Sequence, residues 1–206
     1  MARGRSHRMG MPKGLVCLEP GGPSFLKIID GLYRDLDFST CVVVASDQAV
    51  SYRNELQATP GVRVIEGEAG GDTALTLALA WRELNNISAS WTHLWAHPVD
   101  LPLVGPGTIK LLLEESGRHP TDLVRPFWKD QPGHPVVFPA AFLQEMETLP
   151  GWRERPLRHL LIDSIQRGRA TAPRVVQVAD KGVVHDFDCP EDLPPASPTS
   201  PDRGAP

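Results

Sequence analysis

Cys41-Val42-Val43-Val44-Ala45-Ser46, closed by Asp47, is a β-branched run with no polar position inside it. A strand with one wet face alternates apolar and polar residues, and this one does not. It reads as a strand buried on both faces, the mark of a parallel sheet covered by helices on either side. Working outward, Val62-Arg63-Val64-Ile65 follows Pro60-Gly61 as a second strand, and Trp91 to Val99 is a third, closed by Asp100 and Pro102. Leu123 to Trp128 and Pro135 to Phe138 flank a turn bearing Gly and Pro, as in a hairpin. Val175 to Val178 and Val184 to Asp188 are later short strands.

Helical patterns occupy the intervals. Phe25, Ile28, Ile29, Leu32 and Leu36 keep helical spacing behind Ser24, a good N-cap. Gln48 to Leu56, Asp72 to Leu84, Thr108 to Glu115 and Leu157 to Ile165 complete the set. Strands alternating with helices imply βαβ units and a mostly parallel α/β sheet with an antiparallel hairpin added late. In such sheets ligands bind beyond the carboxyl ends of the strands. From Pro194 to Pro206 the chain is dominated by Pro, Ser and Ala and is expected to be a disordered tail, leaving one domain over residues 1–193.

The 206 residues suit one domain, and 41% hydrophobic residues are enough for a core. No apolar run reaches the ~18 residues of a membrane span, and Met1 to Gly14 has no secretory h-region. Cys17, Cys41 and Cys189 are scattered and odd in number, which fits a reducing cytoplasm. The net charge of −4 hides an imbalance: residues 1–18 sum to +4, the rest to −8. A basic, glycine-spaced opening on an acidic protein points to a small polyanion, not to nucleic acid or a membrane surface.

Three places carry candidate chemistry. Gly4-Arg5-Ser6-His7-Arg8-Met9-Gly10-Met11-Pro12-Lys13 combines glycines, whose amides turn toward an anion, with cations that neutralise it. It is neither a Walker loop nor a dinucleotide fingerprint. Asp100 ends an apolar strand where a Mg²⁺ ligand would sit, and reads equally well as a turn or helix-cap acid. Asp186 and Asp188 alternate around Phe187, so on a strand they share a face and call for a cation between them; Asp188 also suits a helix cap before Pro190. His134 in Gly133-His134-Pro135 and His97 beside Asp100 read first as turn and packing residues.

Together these elements resemble the MobA-like nucleotidyltransferases, in particular the molybdenum-cofactor cytidylyltransferase branch. Arg3 to Lys13 is similar to the family's opening Ala-Gly-x-Ser-x-Arg-Met-Gly-x-x-Lys, and Pro98-Val99-Asp100-Leu101-Pro102-Leu103-Val104 to its Gly-Asp-x-Pro-Leu-Val segment, with Val99 where Gly is usual. Gly133 to Phe138 resembles its Gly-His-Pro turn, and Asp186 to Leu193 its closing Asp-x-Asp-Thr-Pro-Glu-Asp-Leu. The resemblance implies a Rossmann-like three-layer α/β/α fold and an Mg²⁺-dependent transfer of NMP from an NTP, CTP or GTP, to a phosphorylated acceptor such as molybdopterin. It assigns Gly4, Ser6, Arg8, Lys13, Gly71 and Thr73 to the nucleotide, Asp100 and Asp188 to the metal, and Arg8, Lys13 and Asp100 to catalysis. His134 and Asp186 fall on the acceptor side. The family's signature follows an apolar strand, whereas only Met1-Ala2-Arg3 precedes Gly4, so the first strand is expected to be truncated by a misassigned start. A non-catalytic nucleotide-binding or chaperone-like relative is the alternative.

Overall fold

The computed structural model describes residues 2, 8–36, 38–57, 59, 61–68, 72–87, 90–168 and 170–195. The β-branched runs become strands: β1 Cys41–Ala45, β2 Arg63–Gly67, β3 His93–Ala96, β4 Val124–Trp128, β5 Gln131–Pro132, β6 Val136–Pro139 and β7 Arg174–Gln177. The helices are α1 Phe25–Arg34, α2 Ala49–Leu56, α3 Thr73–Ile87, α4 Pro106–Arg118, α5 Ala140–Met146 and α6 Leu157–Gln166. The Ser24 hydroxyl accepts the Lys27 N–H at 3.4 Å and so caps α1 as its type predicts. The expected tail lies almost wholly outside the described residues.

Two expectations need correction. Val184 to Asp188 is not a strand, because its backbone donors find partners elsewhere: the Phe187 N–H reaches the Asp100 carbonyl at 3.0 Å and the Asp188 N–H the Asp192 carboxylate at 2.8 Å. Asp186 is therefore exposed and Asp188 is not, and the two do not share a sheet face. The Trp91–Val99 strand is shorter than expected, ending before His97 and Pro98.

The side chains of each strand divide between two helical layers, as a strand's alternation requires. Val43, Leu94, Ala96, Val136 and Phe138 pack with α3, α5 and α6. Val42 and Val44 face α1 and α2, while Val124 and Val137 pack on Leu112 of α4. The result is a three-layer α/β fold with helices on both faces of the sheet. β1 and β2 pair in parallel from Cys41 opposite Arg63 to Ala45 opposite Gly67. In the larger sheet β6 is antiparallel to both β3 and β4, and β7 is parallel to β4, so β3, β4 and β7 point one way and β6 the other. The antiparallel component thus runs through the sheet between β3 and β4 instead of being appended at its edge.

Among the described residues no hydrogen-bonded pairing joins β1 to β3. At the seam stands Ala2, bridged in parallel to Val44, with its N–H on the Val43 carbonyl at 2.9 Å.

Candidate active site

Asp100 lies just past the carboxyl end of β3, where the chain turns with the Leu101 N–H on the Pro98 carbonyl. The turn is held from below by His97, which is 7% exposed. Its Nε2 faces the Leu101 carbonyl at 2.8 Å and must donate, so Nδ1 accepts the Tyr33 hydroxyl at 2.9 Å. Burial drives the His97 pKa down to about 3, so the ring is a neutral packing element and not a ligand.

Lys13 opens a short 3-10 turn, Lys13–Leu15. The Gly14 N–H donates to the Tyr52 hydroxyl at 3.2 Å, and a Cβ on Gly14 would lie 2.7 Å from that ring, which is why the position is glycine. Met9 is buried with Val16, Phe25 and Phe187. The Phe25 and Phe187 rings are 5.2 Å apart. One small apolar cluster therefore ties the basic loop, α1 and the segment before Asp188 together.

These supports bring four charged groups to one point. The Lys13 Nζ lies 2.7 Å from Asp100 Oδ2 and also bonds Asp188 Oδ1. The Arg8 guanidinium bonds the other Asp188 oxygen at 2.9 Å. Side-chain exposure rises from 16% at Lys13 through 24% and 36% at Asp100 and Asp188 to 73% at Arg8, so the cluster runs from a largely buried lysine to an open rim. Burial by itself would lower the Lys13 pKa, but the hydrogen bonds and charges of both aspartates outweigh it and hold the ammonium above its usual value. The Lys13 hydrogen bond, with the charges of Lys13 and Arg8, holds Asp188 below the usual carboxylate range.

His134 approaches the same region from the turn before β6. A Cβ on Gly133 would lie 2.6 Å from Val183, and the His134 N–H bonds the Val183 carbonyl at 2.8 Å, so the Gly-His step is clamped. Its Nδ1 is buried without a hydrogen-bond partner. Burial and the Arg125 charge lower its pKa to about 4, with Asp100 acting in the opposite sense. Thr73 is the exposed first residue of α3, and Asp186 is exposed to solvent. Gly4, Ser6 and Gly71 lie outside the described residues.

Sequence reading passed over three contributors. Asp192 accepts the N–H groups of Asp188 and Cys189 at 2.8 and 2.9 Å and so fixes the backbone that aims Asp188. Tyr52 supports the Lys13 turn from 38 residues away. Arg125 is half-buried, with Nε on the Gly133 carbonyl at 3.0 Å. A lone arginine inside the apolar Leu123 to Phe127 run was the available signal.

Two carboxylates bridged by cations form an oxygen-donor set suited to a hard divalent ion. Among the described residues no group of three or more His, Cys, Asp or Glu gathers into a complete cage. A hard divalent ion of the Mg²⁺ kind takes one or two carboxylates and fills its remaining positions with water and substrate phosphate, so Asp100 and Asp188 could hold one.

The model of the MobA-like NTP transferase domain matches residues 1–169. This chain belongs to the MobA-like NTP transferase family. It is similar to the crystal structure of Rv0371c from Mycobacterium tuberculosis H37Rv, at 25% identity and TM-score 0.69 over 93% of this chain and 92% of that one. Rv0371c in complex with manganese gives 22% identity and TM-score 0.65, with 90% of each chain covered. Molybdopterin-guanine dinucleotide biosynthesis protein A from Archaeoglobus fulgidus shares the fold at 19% identity, with TM-score 0.60 over 93% and 92% of the two chains. A search of the curated proteins found no match. As a MobA-like NTP transferase the chain is a nucleotidyltransferase, and the family match spans Arg8, Lys13, Asp100 and His134. Asp188 lies beyond that match and joins the site by geometry.

The buried histidines set one prediction. The unfolded chain takes up protons near pH 6.5 that folded His97 and His134 refuse until about 3 and about 4. Their contribution to stability is complete above pH 6.5 and is lost as pH falls from there toward the folded values. The melting temperature is expected to drop between about pH 7 and about pH 5, before most carboxylates titrate. A flat profile across that window would contradict the neutral-histidine assignment.

Proposed function

We propose that this chain is a Mg²⁺-dependent nucleotidyltransferase that moves NMP from CTP or GTP to a phosphorylated small molecule of the molybdopterin type, releasing pyrophosphate. The observation that carries the reading is the meeting of Lys13 and Arg8 with Asp100 and Asp188 in one cluster. Asp100 and Asp188 would hold the metal, and Gly4, Ser6, Arg8 and Lys13 the triphosphate. Gly71 and Thr73 would contact the base, and His134 and Asp186 the acceptor. The manganese complex of Rv0371c supports use of a divalent ion in the family. The three cysteines, all free, are consistent with work in the cytoplasm.

The chemistry asked of the protein is positioning and charge stabilisation. An acceptor phosphate oxygen attacks the α-phosphorus, the bond to the α–β bridging oxygen breaks, and pyrophosphate carries the charge away. Lys13 exchanges its carboxylate partners for phosphate oxygens, and Arg8 sits at the exposed rim where the leaving group departs. Neutral His134 would shape the acceptor side without adding charge there. When bound, the divalent ion supplies further neutralisation of the triphosphate.

The test is pyrophosphate release from CTP, GTP, ATP and UTP in turn, with molybdopterin as acceptor and with Mg²⁺ or EDTA, alongside triphosphate binding. One or two triphosphates should turn over, only with metal. Binding that is indifferent to metal, with no turnover of any triphosphate, would favour the non-catalytic relative.

A further inference from the structure

Asp180 stands outside the charged cluster, where the chain leaves β7 and enters a short 3-10 turn, Lys181–Val183. Its Oδ2 accepts the Gly105 N–H at 2.8 Å and the Thr108 hydroxyl at 2.7 Å, both at the amino end of α4. Its Oδ1 accepts the Gly182 N–H at 2.8 Å. The two backbone amides can only donate, so both oxygens of the side chain must accept. A carboxylate satisfies that demand and a carboxamide does not. Asp180 therefore pins the start of residues 181–187 to the helix that follows the Asp100 turn.

The pinned segment goes on to touch the site in three places. Buried Gly182 lies so close to the Leu103 carbonyl that any Cβ would collide with it. The Val183 carbonyl takes the His134 N–H at 2.8 Å, and the Phe187 N–H donates to the Asp100 carbonyl at 3.0 Å. Asp188 comes next in the chain and meets Lys13 and Arg8. Residues 181–187 belong to no strand, so no ladder fixes their position along the sheet. We infer that Asp180 is a positioning residue: it holds this segment in place and so sets Asp188 against Asp100, and the His134 turn beside them, without itself touching substrate. The consequence for turnover rests on the transfer proposed above.

The test compares the native full-length protein with Asp180→Asn, Thr108→Val and Thr108→Ser. Asparagine keeps the shape but turns a donor toward a donor, so one arm lets go. Valine removes the Thr108 hydroxyl at nearly equal size, and serine retains it. Amide hydrogen exchange at His134 and Phe187 should quicken by at least about tenfold in Asp180→Asn and by less in Thr108→Val, with Val42–Val44 unchanged. In Asp180→Asn, kcat for pyrophosphate release should fall by about 10²-fold, as for a misplaced reacting group. KM for the triphosphate should stay within about twofold, since the Lys13 turn rests on Tyr52 and not on this segment. Thr108→Ser should match the native protein in both readouts. Unchanged exchange at the two amides, or quickened exchange with native kcat, would overturn the inference. So would exchange that rises equally at Val42–Val44, the mark of general destabilisation. A native protein that turns over no triphosphate would defeat the proposed transfer and leave the tether to be decided by exchange at His134 and Phe187.

Discussion

Asp100→Asn is expected to lower metal-dependent pyrophosphate release by about 10³-fold, while the melting temperature moves little. The amide keeps the shape and one acceptor oxygen, so Leu101, His97 and the turn behind β3 have no reason to shift. What disappears is the negative charge at the point where Lys13 Nζ lies 2.7 Å away. An acceptor amide is a poor partner for a hard divalent ion, and the Lys13 ammonium loses one of its two anchors. Removing a preorganised electrostatic group from a water-poor site commonly costs ~10²–10³ in turnover, or roughly 3–4 kcal/mol of barrier. Here positioning and electrostatics are the whole of the chemistry, so the upper end is expected. The check is initial-rate pyrophosphate release at saturating Mg²⁺, with a thermal melt on the same preparation. Retention of full turnover would remove Asp100 from the metal site and leave it a turn residue.

How far the sequence discloses this site depends on whether the determining contacts are local. β1 is legible because Cys41 to Ala45 carries its own pattern, and the cap at Ser24 because the serine and the Lys27 amide are three residues apart. His97 is correctly read as packing. The reading that set a cation between Asp186 and Asp188 rested on a shared strand face that does not form; Lys13 reaches Asp188 from 175 positions away, a contact that nothing local announces. The misreading at Val184 to Asp188 has the opposite origin. Alternating acids around Phe187 look like a strand, yet nothing in the segment says whether another strand is available to pair with it. Phe187 goes instead to the Asp100 carbonyl, and Asp186 turns to solvent. α5, Ala140–Met146, escapes notice because seven residues are too few to show a helical period. Tyr52 and Asp192 are invisible for a related reason: each acts on a functional side chain through a backbone N–H, and such contacts leave no trace in residue type or spacing.

Lys13→Met tests the other half of the cluster, and its effects should run in opposite directions. Turnover is expected to fall by about 10²–10³-fold, since the cation that would move onto the triphosphate is gone. Binding of Mn²⁺ to the nucleotide-free protein should tighten by about tenfold or more, because no ammonium competes for Asp100 and Asp188. Methionine keeps an unbranched stem to fill the space, so packing against the loop is largely retained. Asp188 should move back up toward its ordinary value of 3.8, as the Lys13 hydrogen bond is the largest cause of its depression. Arg8 is too exposed, at 73%, to hold it down alone. The pH profile of stability carries the same signature. In the native protein the Asp188 contribution is present above pH 3.8 and is lost as pH falls through its lowered folded value. The Lys13 contribution is present below pH 10.5 and is lost as pH rises through its raised folded value. The variant should lose the Lys13 part of the alkaline limb, leaving that of buried Cys41 and the tyrosines, and should flatten the Asp188 part of the acid one. Melting curves across pH and a manganese titration read both effects. If manganese binds the variant no better than the native protein, the two aspartates are partners of the lysine and not of a metal.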